Sequence, residues 1–250
     1  MTYVPIPDPE YGQHVCRRAV RLTNVEGATI GELEDSVHAI RCRVEHDGEK
    51  VTAIDAEFVR QPMSTCGGAM GQLETLVGTP LSTTLREFYA DGRARMHCTH
   101  GYDLVWWTIA HANRPETLRR YDCAVPDHPR GQEVEATLEV NGVTVLSWRV
   151  RDDIILGPDP FTGRHAMKGF VGWATEHLDG DLLEAALVMN KGYFTSQSHG
   201  FVQQPGTMGE IAQRFANTCW TYRSPRIEVT EQMKSRRYFP DGEGLLEFRA

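Results

Sequence analysis

The chemistry-bearing residues of this chain crowd into one stretch, from Phe58 to His111. Cys66 and Cys98 each stand at the expected mouth of a helix, beside Thr65 and Thr99, which are residues of the type that caps helix N-termini. His97, His100 and Asp103 gather at the second mouth, and His38 lies on an expected strand upstream. A cysteine at a helix N-terminus meets the positive end of the helix dipole, which lowers its pKa. Two such thiols with an imidazole form a zinc ligand set, here Cys66, Cys98 and His38 or His100. Their spacing is long and irregular, unlike a zinc knuckle, and two small buried thiols fit the same pattern. His100 points to other chemistry. In a first helical turn the dipole favours its neutral form, and a neutral imidazole can take a proton from a hydroxyl. Asp103 follows at helical spacing and either orients His100 or satisfies the helix N-terminus. Base chemistry of this kind needs no cofactor.

Arg60 and Arg41 are the candidate anion clamps, because a guanidinium pairs bidentately with a carboxylate. A surface ion pair is the competing reading for each. Tyr102, Trp106 and Trp107, with Trp173, Tyr193 and Phe194, can supply an aromatic wall or core packing. Trp106 and Trp107 cannot share one helix face, so one is expected to leave the core for a pocket or an interface. His97 reads as a solvated loop residue. Walker, GxGxxG and GxSxG spacings are all missing, which leaves nucleotide, dinucleotide and α/β-hydrolase readings without support.

These residues must be placed by hairpins and helices. Residues 15–23, 37–45 and 50–59 read as strands, the last two joined at Asp47-Gly48. Alternation puts Val37 and Ala39 on one side and His38 on the other, away from the apolar stripe. Helices are expected over 67–77, over 83–90 with Ser82 as its cap, and over 100–113 with Leu104, Trp107 and His111 on one stripe. Gly67, Gly68 and Gly71 weaken the first of these, which makes sense if something packs against its backbone. Beyond Pro129 a second hairpin turns at Asn141-Gly142, with 143–156 as one strand. A helical stretch over 167–190 breaks near Asp179-Gly180. Residues 191–208 read as an irregular lid, 208–218 as a short helix, and RIEVT and LLEF as strands. The fold class is α+β: antiparallel hairpins packed on helices. Residues 1–115 form a hairpin plus three-helix core carrying the Cys/His cluster. Residues 116–250 add a second hairpin and helices, packed on the first half as one unit.

At 250 residues and 40% hydrophobic content the chain can bury a real core. A net charge of −8 argues against a nucleic-acid partner. No apolar run is long enough for a membrane span and no signal pattern opens the chain, so a cytoplasmic location is expected. Six dispersed cysteines without a CxxC pair read as free thiols.

The run EDSVHAIRC at 34–42, AIDAEFVRQP at 53–62, Cys66, Gly78 and HCTH at 97–100 followed by Asp103-Leu104 resembles the bacterial domain of unknown function 2889 family. The resemblance covers about residues 17 to 115, with Gly101 where the family more often has Leu and Met63 where it often has an aromatic. It implies a lyase of aromatic catabolism that expels formaldehyde from a hydroxymethyl group of a lignin-derived diaryl compound. His100 or His38 would be the base, an Arg would hold a carboxylate, and Tyr and Trp faces would stack the rings. The order of hairpin, cysteine, Leu-x-x-x-x-Gly ending at Gly78 and second cysteine also looks like the IscU/NifU iron–sulfur scaffold fold. In that likeness Cys66 and Cys98 match the second and third scaffold cysteines, Asp35 or His38 stands near the first ligand, and the first cysteine is missing. The alternatives to a lyase are therefore a metal or iron–sulfur scaffold and a non-catalytic binding module, the latter a homo-oligomer joined through an exposed tryptophan.

Overall fold

Three of the tight reversals between strands are built on aspartate or asparagine. At 47–50 the Asp47 carboxylate accepts the N–H groups of Glu49 and Lys50, both at 2.9 Å, while Gly48 takes φ +94°. Asn141 and Gly142 form the second reversal with φ +50° and +79°. Asp152 and Asp153, at φ +49° and +63°, form a third, so the stretch expected as one strand is two. The computed structural model describes residues 5–248. Its strands are β1 (Val15–Val25), β2 (Ala28–Asp35), β3 (Ala39–His46), β4 (Val51–Arg60), β5 (Leu118–Pro126), β6 (Glu133–Val140), β7 (Val143–Arg151) and β8 (Ile154–Gly157). They form one antiparallel sheet in the order β4-β3-β2-β1-β5-β6-β7-β8. Two four-stranded meanders are thus joined side by side through β1 and β5, with Arg18 opposite Cys123. The fold is α+β, and residues on both sides of position 115 share its sheet. β2 and β5 had no strand signal strong enough to be assigned from sequence.

The principal helices are α1 (Leu85–Phe88), α2 (Thr99–Ala112), α3 (Phe170–His177) and α4 (Gly180–Ser196). α2 lies on β1, β2 and β3, and α4 lies on β1, β5, β6 and β7. Both approaches are close. A Cβ on Gly31 would sit 2.1 Å from Thr108 Oγ1, and one on Gly192 would sit 2.3 Å from Cys123 Sγ. Cys16, Arg18, Val20 and Leu22 alternate along β1 toward the helices. The opposite face is covered by Phe239, Leu245, Leu246 and Phe248, which pack on Ala19 and Ala39.

Several local expectations give way to packing. The stretch 67–77 forms two 3-10 turns, Cys66–Ala69 and Gly71–Leu76, and Thr65 makes no side-chain cap bond. Gly68 does have a packing reason, since a Cβ there would meet Trp220 at 2.6 Å. α1 is capped by Thr84 rather than Ser82, with Glu87 completing a capping box. Cys98, not Thr99, occupies the N-cap position of α2. α2 is buried from Gly101 through Ile109, so Trp106 and Trp107 both stay in the core. Trp106 packs on the Phe88 ring at 5.2 Å, because α1 covers the side on which an exposed face was expected. The expected lid begins instead as the last turns of α4. RIEVT forms the helical turn Arg226–Val229, and LLEF is a turn whose Leu245, Leu246 and Phe248 are buried.

Candidate active site

The site grows from the turn between β2 and β3. Asp35 ends β2, and its Oδ1 accepts the N–H groups of Val37 at 2.9 Å and His38 at 2.8 Å. The same oxygen accepts His38 Nδ1 at 3.0 Å. A carboxylate can only accept, so His38 holds a proton on Nδ1 toward Asp35, and Nε2 is the acceptor when the ring is neutral. Asp35 Oδ2 pairs with Arg18 Nη1, and both side chains are fully buried. The His100 ring, in the first turn of α2, lies 4.1 Å from the His38 ring at an angle of 35°. Asp35, His38 and His100 are all buried, and their ligand atoms lie within 4.8 Å of one another.

Burial opposes ionisation of Asp35, but its pairing and hydrogen bond with His38, then the charge of Arg18, hold its carboxyl well below the usual carboxylate range. His100 moves the other way. Burial, the neighbouring His38 ring, and the charges of Arg18 and Lys191 hold it far below the ordinary imidazole value, with Asp35 opposing. The site thus contains one firmly ionised carboxylate and one firmly neutral imidazole.

A second buried relay reaches the same turn. Asp127 Oδ2 accepts Gly12 N–H at 3.0 Å and His14 N–H at 3.1 Å, while its Oδ1 accepts His199 Nδ1 at 2.8 Å. His199 Nε2 meets Ser36 Oγ at 2.8 Å. Asp127 and His199 come from the second meander and the turn after α4, so both halves of the chain clamp the turn that carries Asp35 and His38. Ser36 Oγ is engaged by His199 Nε2 and lies 3.5 Å from Cys16 Sγ, which suits a clamp better than a nucleophile.

The sequence-derived site residues divide. His38 and His100 meet. His38 does so because it shares its strand face with Ile40, Cys42 and Val44, toward the helices, rather than facing away from the apolar stripe. Asp103 does not bond His100; it pairs with Lys191 Nζ at 2.9 Å and with the Tyr89 hydroxyl. Arg60 is tied to the turn itself, through Ser36 O at 3.0 Å, Asp35 O at 2.7 Å and the Glu34 carboxylate at 3.1 Å. Arg41 lies on the opposite face, over the Phe248 ring at 4.0 Å. Neither arginine is a free clamp at the imidazoles. The Tyr102 hydroxyl donates to Phe88 O, and Trp107 is core. His97 is buried rather than solvated, with its ring 4.9 Å from that of Tyr102.

The thiols also leave the site. Cys66 packs in a small cluster with Met63, Met208 and Ile227, while Cys98 belongs to the main core. Burial pushes Cys66 up to about 11 and raises Cys98 as well, the reverse of the expected dipole effect. Neither belongs to the Asp35, His38 and His100 donor group. Two aromatics flank the imidazoles: Phe58, with its ring 6.4 Å from His38, and Phe194, with its ring 6.2 Å from His100 and 52% exposed. Tyr193 bonds Asp153 at 2.9 Å, and Trp173 packs on Phe161 and Phe170.

Arg18, Ser36, Asp127 and His199 were not singled out from sequence. Arg18 had a usable signal, a charge at an inward position of an alternating strand, between Cys16 and Val20. A pocket of about 260 Å³ opens among Arg17, Arg18, Asp122, Cys123, Glu139 and Asp241, but Arg17 and Arg120 are engaged there by Pro240 O and Asp122. No family model, curated protein or solved structure matches the chain. Among the described residues no helix is long and apolar enough to cross a membrane.

Proposed function

We propose that this chain is a cofactor-independent enzyme in which His38, oriented by Asp35, is a general base with neutral His100 beside it. The observation that carries the reading is the buried Asp35–His38 bond at 3.0 Å, which fixes a proton on Nδ1 at the carboxylate, so that Nε2 of the neutral ring is the nitrogen open to a substrate proton. Asp35 steadies the imidazolium that forms when the base takes a proton. Asp103 holds Lys191 beside His100. Phe194 offers an exposed face next to the imidazoles on which a substrate ring can lie.

The substrate class follows from the resemblance to the domain of unknown function 2889 family: a small diaryl compound of lignin origin. His38 takes the proton of the γ-hydroxyl. The Cβ–Cγ bond breaks as the C–O bond becomes the carbonyl of formaldehyde. The released electron pair forms a Cα=Cβ double bond conjugated with the ring and expels an aryloxide from Cα. The aryloxide takes the proton back from the imidazolium. No net oxidation occurs.

The test is formaldehyde release from a synthetic diaryl compound carrying a hydroxymethyl group and an α-aryl ether. His38→Ala and His100→Ala are each expected to lower turnover at least ~100-fold, the usual size of a general-base contribution. Near-normal turnover by His38→Ala ends this reading.

A divalent metal on Asp35, His38 and His100 is the second reading, favoured by donor atoms within 4.8 Å of one another. Against it, both Asp35 oxygens already serve Arg18, His38 and backbone N–H groups, and the Arg18 and Lys191 charges repel a cation. Turnover that disappears with a chelator and returns with one equivalent of metal would favour this second reading.

A further inference from the structure

We infer that Arg18 is the anchor for a carboxylate carried by the aromatic substrate, an inference that rests on the function proposed above for the substrate's aromatic character. Arg18 is among the largest fully buried side chains of the protein, with its side chain wholly removed from solvent. Its Nη1 is used by Asp35. Its Nε and Nη2 have no hydrogen-bond partner among the described residues. Those two nitrogens form the side-on edge of the guanidinium, the fork that meets both oxygens of a carboxylate in parallel. A buried guanidinium with that whole edge unpaired is costly, because its donors have lost water and gained nothing. A planar two-oxygen anion satisfies both donors at once.

Position supports the same occupant. Arg18 stands opposite Asp35 on β2 and opposite Cys123 on β5, on the face covered by α2 and α4. Asp35 is shared by Arg18 and His38, so the unpaired edge and the base are held by one carboxylate. His100 Nδ1 is a second buried polar atom without a partner in this cluster. Arg18 is linked through Asp35 to His38, whose ring lies 4.1 Å from that of His100. The Phe194 ring is 6.2 Å from that of His100 and is half exposed. Arg60 cannot take this role because its Nη atoms are bound to the turn.

The experiment is calorimetric binding to the wild-type protein, without turnover. The probes are 3-(4-hydroxyphenyl)propionate, the corresponding alcohol 3-(4-hydroxyphenyl)propan-1-ol, and inorganic sulfate. The acid is expected to bind at least about tenfold more tightly than the alcohol, the effect of hydrogen bonds to a charged pair. The Arg18 Nε–H resonance is expected to move downfield with the acid and to stay in place with the alcohol. Arg18→Gln, folded by circular dichroism, should lose the preference for the acid. Equal affinity for acid and alcohol, or an Arg18 resonance unmoved by bound acid, overturns the inference without use of a variant. Sulfate bound as tightly as the acid overturns the assignment to a carboxylate. Acid binding at wild-type affinity by His38→Ala sustains the anchor even where the turnover test above has ended the base reading.

Discussion

Replacing Asp35 by Asn tests whether the residue that orients the candidate base is also a keystone of the sheet. Asn is nearly isosteric, and its carbonyl oxygen can still accept the Val37 and His38 N–H groups that Asp35 receives at 2.9 and 2.8 Å. The turn's local bonds therefore survive. What disappears is the charge facing Arg18, in a pair whose two side chains are both 0% exposed. Breaking a buried pair by neutralising one partner leaves the other charge unsolvated and costs about 3–5 kcal/mol. Arg18 has no spare partner to fall back on, since its Nε and Nη2 are already unpaired among the described residues. In a chain of this length a loss of that size lowers Tm by roughly 10 °C.

The assay is urea unfolding at pH 7, followed by tryptophan fluorescence, for wild type, Asp35→Asn, Arg18→Met and the double variant. Asp35→Asn alone should fall in that range, and adding Arg18→Met should recover part of the loss because no lone charge remains buried. The pH dependence supplies a second check. The folded-state pKa of Asp35 is depressed, so its contribution is present above the unfolded carboxylate value and is lost as pH falls through the folded one. The gap between wild type and Asp35→Asn should hold steady at neutral pH and close below about pH 3.9. An Asp35→Asn variant within about 1 kcal/mol of wild type at pH 7 refutes the argument, since that is the size of an exposed pair.

Gly192→Ala places a Cβ 2.3 Å from Cys123 Sγ, and should destabilise by about 1–2 kcal/mol after the helix-propensity gain, with recovery in Gly192→Ala/Cys123→Ala measured by urea unfolding. The same change at Gly172 in α3 meets nothing within 4 Å and should stabilise by about 0.5–1 kcal/mol. His100 is held neutral, with its folded-state pKa below the unfolded value, so unfolding free energy should begin to fall as pH drops past about 6.5, and His100→Gln should flatten that limb. An Ellman titration of the native protein should label Cys219 first and leave Cys66 and Cys98 unreacted until denaturant is added, because the last two are buried and burial raises their thiol pKa values.

Where local chemistry alone determined the backbone, the sequence was readable. Asp47-Gly48 and Asn141-Gly142 turn where their residue types say they must, since few residues tolerate positive φ. α2 was readable because Cys98 to Asn113 carries a dense apolar pattern. The failures lie where packing decides. Glycine-rich 66–76 has weak helix propensity, and its contact with Trp220, about 150 residues away, holds it in 3-10 turns. β2 carries Gly31 at its centre, a poor strand residue by propensity, yet the missing Cβ is what lets Thr108 of α2 come down onto the sheet. Asp152-Asp153 lacks glycine and was passed over as a turn, though aspartate is one of the few residues that visits this region.

The candidate site was half legible for the same reason. His38 and His100 could be named from their types, and they do meet, because β3 and α2 stack face to face. The groups that define their chemistry could not be named, because they are brought together only by the order of the strands. Arg18 reaches Asp35 across the β1–β2 ladder, and Asp127 reaches Ser36 through His199, which lies 163 positions from Ser36 in the chain. Arginines that looked like ligand clamps serve the backbone instead, and an arginine hidden inside a strand has the unpaired edge. The useful distinction is between a charge on the solvent side of an alternating strand and a charge on its core side. Arg41 is the first kind and Arg18 the second, and leaving a core-side charge without full pairing costs free energy. That contrast sets the unpaired guanidinium on the helix-covered face of β1, joined to His38 through Asp35, rather than among the cysteines that first draw attention.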